Sequence, residues 1–218
     1  NNYSDPFPEL FNSDGKAVAL SLDSSGAVIN FSDLKENGLI FHLSVSRLAL
    51  EKIFGVPLNQ YGDRVILGQA VEVLPNIFYF MVAPSGFCGN RSCSWAFFRY
   101  ELGKDILTFI NQDLHYGIYF FLSPDKQRLA LIENSGSCFG STQLHILDLK
   151  SQGMSTTDKF LYNKTAAAEI SGFRWINNSE VEMKTVEDLC PYDATERIIK
   201  YNLDFQKSEV FSMRKLDP

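Results

Sequence analysis

FLSPDKQRLALIENSGSCFGSTQLHILDLK, running from Phe121 to Lys150, is the stretch that decides the fold. It reads as strand, tight turn, strand, long polar loop and strand. In Ser123-Pro124-Asp125-Lys126 the proline ring presets the φ angle of a turn's second position. The aspartate beside it can accept hydrogen bonds from its own backbone neighbours. Arg128-Leu129-Ala130-Leu131-Ile132 is an almost unbroken apolar run. Its length and flanking turn residues favour a strand covered on both faces over a buried turn of helix. Asn134 to Thr142 is polar, carries two glycines and belongs outside a core. Leu144-His145-Ile146-Leu147-Asp148-Leu149 then resumes as a strand.

This order of Ser-Pro-Asp, basic residue, short apolar strand, polar loop and Ile-Leu-Asp-Leu strand resembles the blade repeat of TolB-type β-propellers. Related blades occur in the propeller domains of prolyl-oligopeptidase-type peptidases. The glycine usual after the aspartate is Lys126 here. A second echo near the amino end, Ser13-Asp14-Gly15-Lys16-Ala17-Val18-Ala19-Leu20 followed by Ala27-Val28-Ile29-Asn30-Phe31, keeps the glycine but lacks the proline. The resemblance implies an all-β, propeller-like array and is silent on activity, because function resides in sites and not in folds.

Outward from this stretch, nearly everything reads as strand. Residues 16–34 predict a hairpin around Ser24-Ser25-Gly26, and Gly38–Ser44 a further strand. Ser46–Phe54 is the one helix candidate, with Ser46 as cap and Gly55 as stop. Arg64–Leu74 and Asn76–Ala83 are parted by Pro75, and Ser94–Leu102 and Asp105–Asn111 by Gly103-Lys104. Asp158–Tyr162, Ser171–Ile176, Glu180–Val186, Arg197–Asp204 and Glu209–Arg214 complete the strands. In Glu180–Val186, Val181, Met183 and Thr185 alternate with Glu180, Glu182 and Lys184, the period of a half-exposed strand.

Phe98–Leu102, Ile146–Leu149 and Lys200–Asp204 align as the third strand of successive units. Their leucines, Leu102, Leu149 and Leu203, lie 47 and 54 residues apart, near the ~40–50 residues of a propeller blade with loop insertions. Such units bury their faces only against neighbours. Three clear units and an irregular amino-terminal one predict about four antiparallel blade units in an open, incomplete or small array. A β-sandwich is the rival architecture. Residues 1–10 read as a lead-in or tether, and 11–218 as a single all-β repeat domain.

In this register all four cysteines fall in the same loop of successive units, between second and third strands: Cys88 and Cys93, then Cys138, then Cys190. Four cysteines allow three pairings. Cys88–Cys93 with Cys138–Cys190 is the simplest. Zinc is disfavoured by the Cys-x4-Cys spacing and by the scatter of His42, His115 and His145. Dithiol redox chemistry is disfavoured because no Cys-x-x-Cys occurs. Disulfides would place the chain in an oxidising compartment: periplasm, cell surface or secreted. The start at Asn1 without methionine suggests processing, and the sequons at Asn2, Asn30, Asn90, Asn163 and Asn177 lean the same way.

The chain of 218 residues, 45% hydrophobic and 21% charged, has the composition of a globular domain. A net charge of −6 argues against nucleic acid as a partner, and no apolar run approaches the roughly 18 residues of a membrane-spanning helix. Catalytic signatures are missing: no Gly-x-Ser-x-Gly elbow, no phosphate-cradling loop, no His-Glu-x-x-His. No metal or cofactor is called for. Asp125 and Asp148 fit turn and strand-end roles, and His145 a structural one. Glu187, Asp188 and Asp193 read as a solvated acidic loop in preference to a cation site. Phe87, Phe139, Tyr192 and Trp95, in or beside the cysteine loops, are the candidate binding residues. The leading expectation is a non-catalytic exported module that binds a protein or glycan through a disulfide-stiffened loop face. A hydrolase, or a fragment of one, acting on peptides or glycans is the second, and a structural domain of an envelope assembly the third.

Overall fold

The structure, a computed structural model, describes residues 16–22, 28–33, 38–44, 65–84, 88–89, 92–93, 95–114, 117–134, 143–157, 168–187 and 195–215. All secondary structure among them is β; the helix candidate Ser46–Phe54 and the strand candidate Asp158–Tyr162 lie outside the described residues. The chain divides into two compact units, one of residues 15–118 and one holding residues 119–218.

The first unit contains β1 (Lys16–Leu22), β2 (Val28–Asp33), β3 (Leu39–Ser44), β4 (Val65–Leu74) and β5 (Ile77–Pro84). A two-stranded ribbon, β6 (Cys88–Gly89) and β7 (Ser92–Cys93), precedes β8 (Trp95–Glu101) and β9 (Ile106–Leu114). Seven of these strands form one sheet in the order β3-β2-β1-β4-β5-β8-β9. The irregular amino-terminal unit is therefore not a separate blade. Its strand β1 pairs antiparallel with β4, Lys16 opposite Glu72 and Val18 opposite Ala70, so the two are continuous.

This sheet curls back on itself. Phe31 on β2 stacks on Phe41 at 4.2 Å and meets Phe78 and Phe80 of β5 edge-on at 5.9 and 5.1 Å. Phe41 on β3 lies 5.2 Å from Tyr100 on β8. β2 and β3 are neighbours, but β2 and β5, and β3 and β8, are not adjacent in the sheet, so only curvature brings Phe31 to Phe78 and Phe80 and Phe41 to Tyr100. Burial of each such ring contributes about 1.5–3 kcal/mol. Their tilted and edge-on pairings add about 0.5–1.5 kcal/mol each. Tyr79, Met81 and Phe97, on the opposite faces of β5 and β8, are buried too.

The second unit contains two four-stranded meanders. One is β10 (Gly117–Leu122), β11 (Arg128–Asn134), β12 (Gln143–Asp148) and β13 (Met154–Thr157). The other is β14 (Ala168–Trp175), β15 (Glu180–Glu187), β16 (Thr195–Asn202) and β17 (Lys207–Lys215). They share one core, in which Phe121, Ala130, Ile132, Leu144 and Ile146 pack with Ile170, Phe173, Val181, Met183, Ile199 and Tyr201. Phe121 and Phe173 are 4.7 Å apart, and the Trp175 Nε1–H donates to the Phe121 carbonyl at 3.1 Å.

The Ser-Pro-Asp turn does more than reverse the chain. Asp125 accepts from the Ser123 hydroxyl at 2.7 Å and from the Gln127 amide at 3.1 Å, and the Ser123 hydroxyl accepts from the Arg128 amide at 2.9 Å. Arg128 then reaches the second meander, donating to the Asn178 carbonyl at 3.0 Å and to Asp204 at 3.2 Å. Asn178 in turn accepts from the Asp125 amide at 3.1 Å. One turn thus closes its own hairpin and latches the neighbouring sheet.

The outer face of β14–β17 is polar. Glu182 is buried beside Arg174 at 2.6 Å, Lys184 pairs with Glu196 at 3.0 Å, and Lys200 sits 4.3 Å from the Phe211 ring centre. Among the described residues, five hairpin turns hold a non-glycine residue in the left-handed region: Asn76, Asp105, Lys126, Gln152 and Gln206, with φ of 64, 55, 57, 60 and 51°.

Candidate functional site

The strand topology places the cysteine-bearing connections in equivalent positions. Within the seven-stranded sheet, β4-β5-β8-β9 is a meander like the other two, so β8, β12 and β16 are each the third strand. The β5–β8 connection carries Cys88 and Cys93, the β11–β12 connection Cys138, and the β15–β16 connection Cys190. Cys88 and Cys93 are direct register partners across the β6–β7 ribbon. Antiparallel partners have Cα atoms about 4.5–5.5 Å apart, inside the ~4.4–6.8 Å span of a disulfide. Cys138, Cys190, Phe87, Phe139 and Tyr192 lie outside the described residues. Trp95 is half-buried at the start of β8. A Cβ added at Gly68 would come within 3.0 Å of its Cζ3 and of Met81 Cβ. Only glycine lets β4 pass beneath that indole without a shift.

Near the strand ends that two of these connections join are buried polar side chains that sequence reasoning did not assemble. Glu133, next to last in β11, and His145, third in β12, flank the Cys138 connection. His145 Nε2 and Glu133 Oε2 are 2.9 Å apart, with side chains 5% and 6% exposed. Their strands pair Leu131 with His145 and Glu133 with Gln143, so the two side chains meet diagonally on one face. Flanking the Cys190 connection, Thr185 is buried opposite Arg197. The sequence shows only one polar residue near each end of an apolar hairpin; the register that brings these two to one face comes from the strand pairing.

Of the carboxylates singled out from the sequence, Asp125 and Asp148 hold turns. Asp148 caps the turn after β12, accepting from the Ser151 amide at 2.7 Å and the Lys150 amide at 2.9 Å. The Ser151 amide is the main cause of a carboxyl held below the usual aspartate range. Asp204 is likewise lowered, first by the Ser179 side chain and then by Arg128. Glu101 is lowered by Lys104 at 2.8 Å and by Arg99 at 3.0 Å. Tyr100 is raised, chiefly by burial and then by its hydrogen bond to Asp105 at 2.8 Å. Glu187 ends β15, while Asp188 and Asp193 lie outside the described residues. Among the described residues no three His, Cys, Asp or Glu side chains gather as metal ligands, and no helix is long and apolar enough to cross a membrane.

Neither a protein-family model nor a curated protein matches the sequence. Solved structures do resemble the fold. The tricorn protease is 10% identical with a TM-score of 0.47, over 91% of this chain and 18% of its own. A puromycin-hydrolyzing peptidase of Mycobacterium tuberculosis is 9% identical with a TM-score of 0.46, over 89% of this chain and 28% of its own. A putative TolB from Agrobacterium tumefaciens is 8% identical with a TM-score of 0.36, over 94% of this chain and 84% of its own. This chain thus spans well under a third of the length of the first two. At these scores the likeness is one of fold at its weakest, and any function must be argued from the chain's own residues.

Proposed function

We propose that this chain is a non-catalytic, exported binding module built as an open, propeller-like array. It recognises a protein or glycan through the connections between second and third strands. The observation that carries this reading is topological: three meanders present the same connection, and those three connections hold every cysteine and three of the four candidate aromatics. Disulfides Cys88–Cys93 and Cys138–Cys190 would pre-organise the connections and lower the entropy cost of binding. Support for the first comes from the register of the β6–β7 ribbon. A non-reducing peptide map should recover both bonds, and four free thiols would remove the argument for export. Phe139→Ala with Tyr192→Ala should then weaken retention on a glycan or peptide array without lowering the melting temperature. Unchanged retention overturns the choice of face.

One observation favours a second reading, a hydrolytic fragment acting on peptides or glycans. The His145–Glu133 pair has the composition of a general-base dyad. Its burial is what that reading must overcome. His145→Gln should abolish any peptidase or glycosidase activity found, and activity surviving that change excludes the pair as its source.

A further inference from the structure

We infer that β9 is a self-association edge, and that a second copy of this chain pairs with it antiparallel about Thr108. β9 ends the seven-stranded sheet, so its outward amides and carbonyls have no ladder partner among the described strands. Ile106, Leu107 and Phe109 on this one strand are 47%, 37% and 42% exposed. From Ile106 to Gln112 the sequence has no charge, no proline and no glycine. Exposed edges of that kind are pairing templates unless something blocks them.

Of the other outer strands with exposed large apolar side chains, β3 offers Leu39 alone, and β17 is blocked. It carries Lys207, Arg214 and Lys215, and its register shifts where Val210 and Ser212 face Ile199 and Ile198. Charge and irregularity of this sort are the usual protection of an edge. β13 is only four residues long, and short edges pair poorly. β9 carries no charge from Ile106 to Phe109, and its ladder to β8 is regular over that stretch, shifting only beyond it, between Phe109 and Asn111.

The sequence of β9 also selects the occupant. Ile106-Leu107-Thr108-Phe109-Ile110 reads alike in both directions in chemical character. Antiparallel pairing of two copies about Thr108 sets Leu107 opposite Phe109 twice, with the threonines opposite one another, in the stretch where the ladder to β8 is regular, and brings Ile106 level with Ile110, where that ladder shifts. Leu107 and Phe109 are on one face, because β8 sets them against Tyr100 and Phe98. Like thus meets like on that face, and a threonine pair at the centre is itself favourable. Charge agrees with this register. It sets Asp105 opposite Asn111 and Lys104 opposite Gln112, one place from Asp113. Sliding by two residues in the pairing sum would set Asp105 against Asp113. Such self-complementarity is what a two-fold interface requires.

Sedimentation of the whole chain across the micromolar range should show a monomer–dimer equilibrium. Thr108→Glu places two carboxylates opposite each other at the two-fold. It should raise the dimer dissociation constant about a hundredfold or more with the circular dichroism spectrum unchanged. A wild-type chain that stays monomeric, or a dimer indifferent to Thr108→Glu, overturns the proposal. Should that variant fail to fold, oxidised Thr108→Cys decides. It should yield a covalent dimer on a non-reducing gel that wild type and Ser212→Cys do not yield, and the lack of that band refutes the register.

Discussion

Replacing Lys126 with glycine should stabilise the protein, although it deletes a side chain and adds no contact. Lys126 has φ of 57°, where Cβ crowds the following carbonyl at a cost of about 1–2 kcal/mol. The turn imposes that angle. The Lys126 amide donates to the Ser123 carbonyl at 2.9 Å, the Ser123 amide to the Arg128 carbonyl at 2.9 Å, and the Asp125 carboxylate holds the Gln127 amide. Glycine removes the crowding, but its freer unfolded chain returns about 0.5–1 kcal/mol. The net gain is about 0.5–1 kcal/mol. At ~2–4 °C per kcal/mol for a chain of this size, that is a rise of about 1–4 °C in melting temperature. Gln127→Gly is the control, one residue on and outside the left-handed set, and it should lose about 0.5–1 kcal/mol. Urea unfolding of both variants separates them by the sign of the midpoint shift. If Lys126→Gly is destabilised as much as Gln127→Gly, backbone crowding is not what Lys126 contributes to the turn, and the reasoning fails.

Phe173→Ala empties the centre of the core shared by the two meanders and removes the contacts at 4.7 Å to Phe121 and 6.0 Å to Trp175. It should cost about 3–5 kcal/mol in urea unfolding, and a loss below about 1 kcal/mol would mean that the two sheets do not depend on that ring. Stability should also fall on the acid side because of Asp148 and Asp204. Their folded carboxyls titrate below the ordinary value, so the unfolded chain takes up the proton first. The stabilisation is complete above about pH 4 and disappears as pH drops through the folded values. Asp148→Asn with Asp204→Asn should flatten that acid limb, and an unaltered limb would assign acid unfolding to other groups.

The strands were legible where turn chemistry and apolar runs coincided. Pro75-Asn76, Gly103-Lys104, Pro124-Asp125 and Asn177-Asn178 each sit between strands that pair as expected, and aligning Leu102, Leu149 and Leu203 found the third strand of each meander. Met154–Thr157 escaped notice because a short, polar edge strand has neither alternation nor an apolar run. The joining of β1 to β4 escaped because it spans the long β3–β4 connection, and no local pattern encodes which distant strand a hairpin will choose. The candidate site was legible only as loop position. Cys88 opposite Cys93 follows from a six-residue hairpin, whereas Glu133 beside His145 depends on a diagonal across a register that turn lengths alone do not fix. The departure at Lys126 was visible in the sequence, but only the backbone angle gives it a cost.

The seven-stranded sheet has a consequence for synthesis on the ribosome. Every strand it needs lies between Lys16 and Leu114, and the curl that buries Phe31 against Phe78 and Phe80 uses nothing from later in the chain. At ~5–20 residues per second, the hundred or so residues that follow take about 5–20 s to emerge, long against the ~ms–s folding of small β domains. The amino-terminal half can be finished while the rest is still being translated. The two later meanders, which share a core running from Phe121 to Tyr201, must then wait for β16 before that core can close.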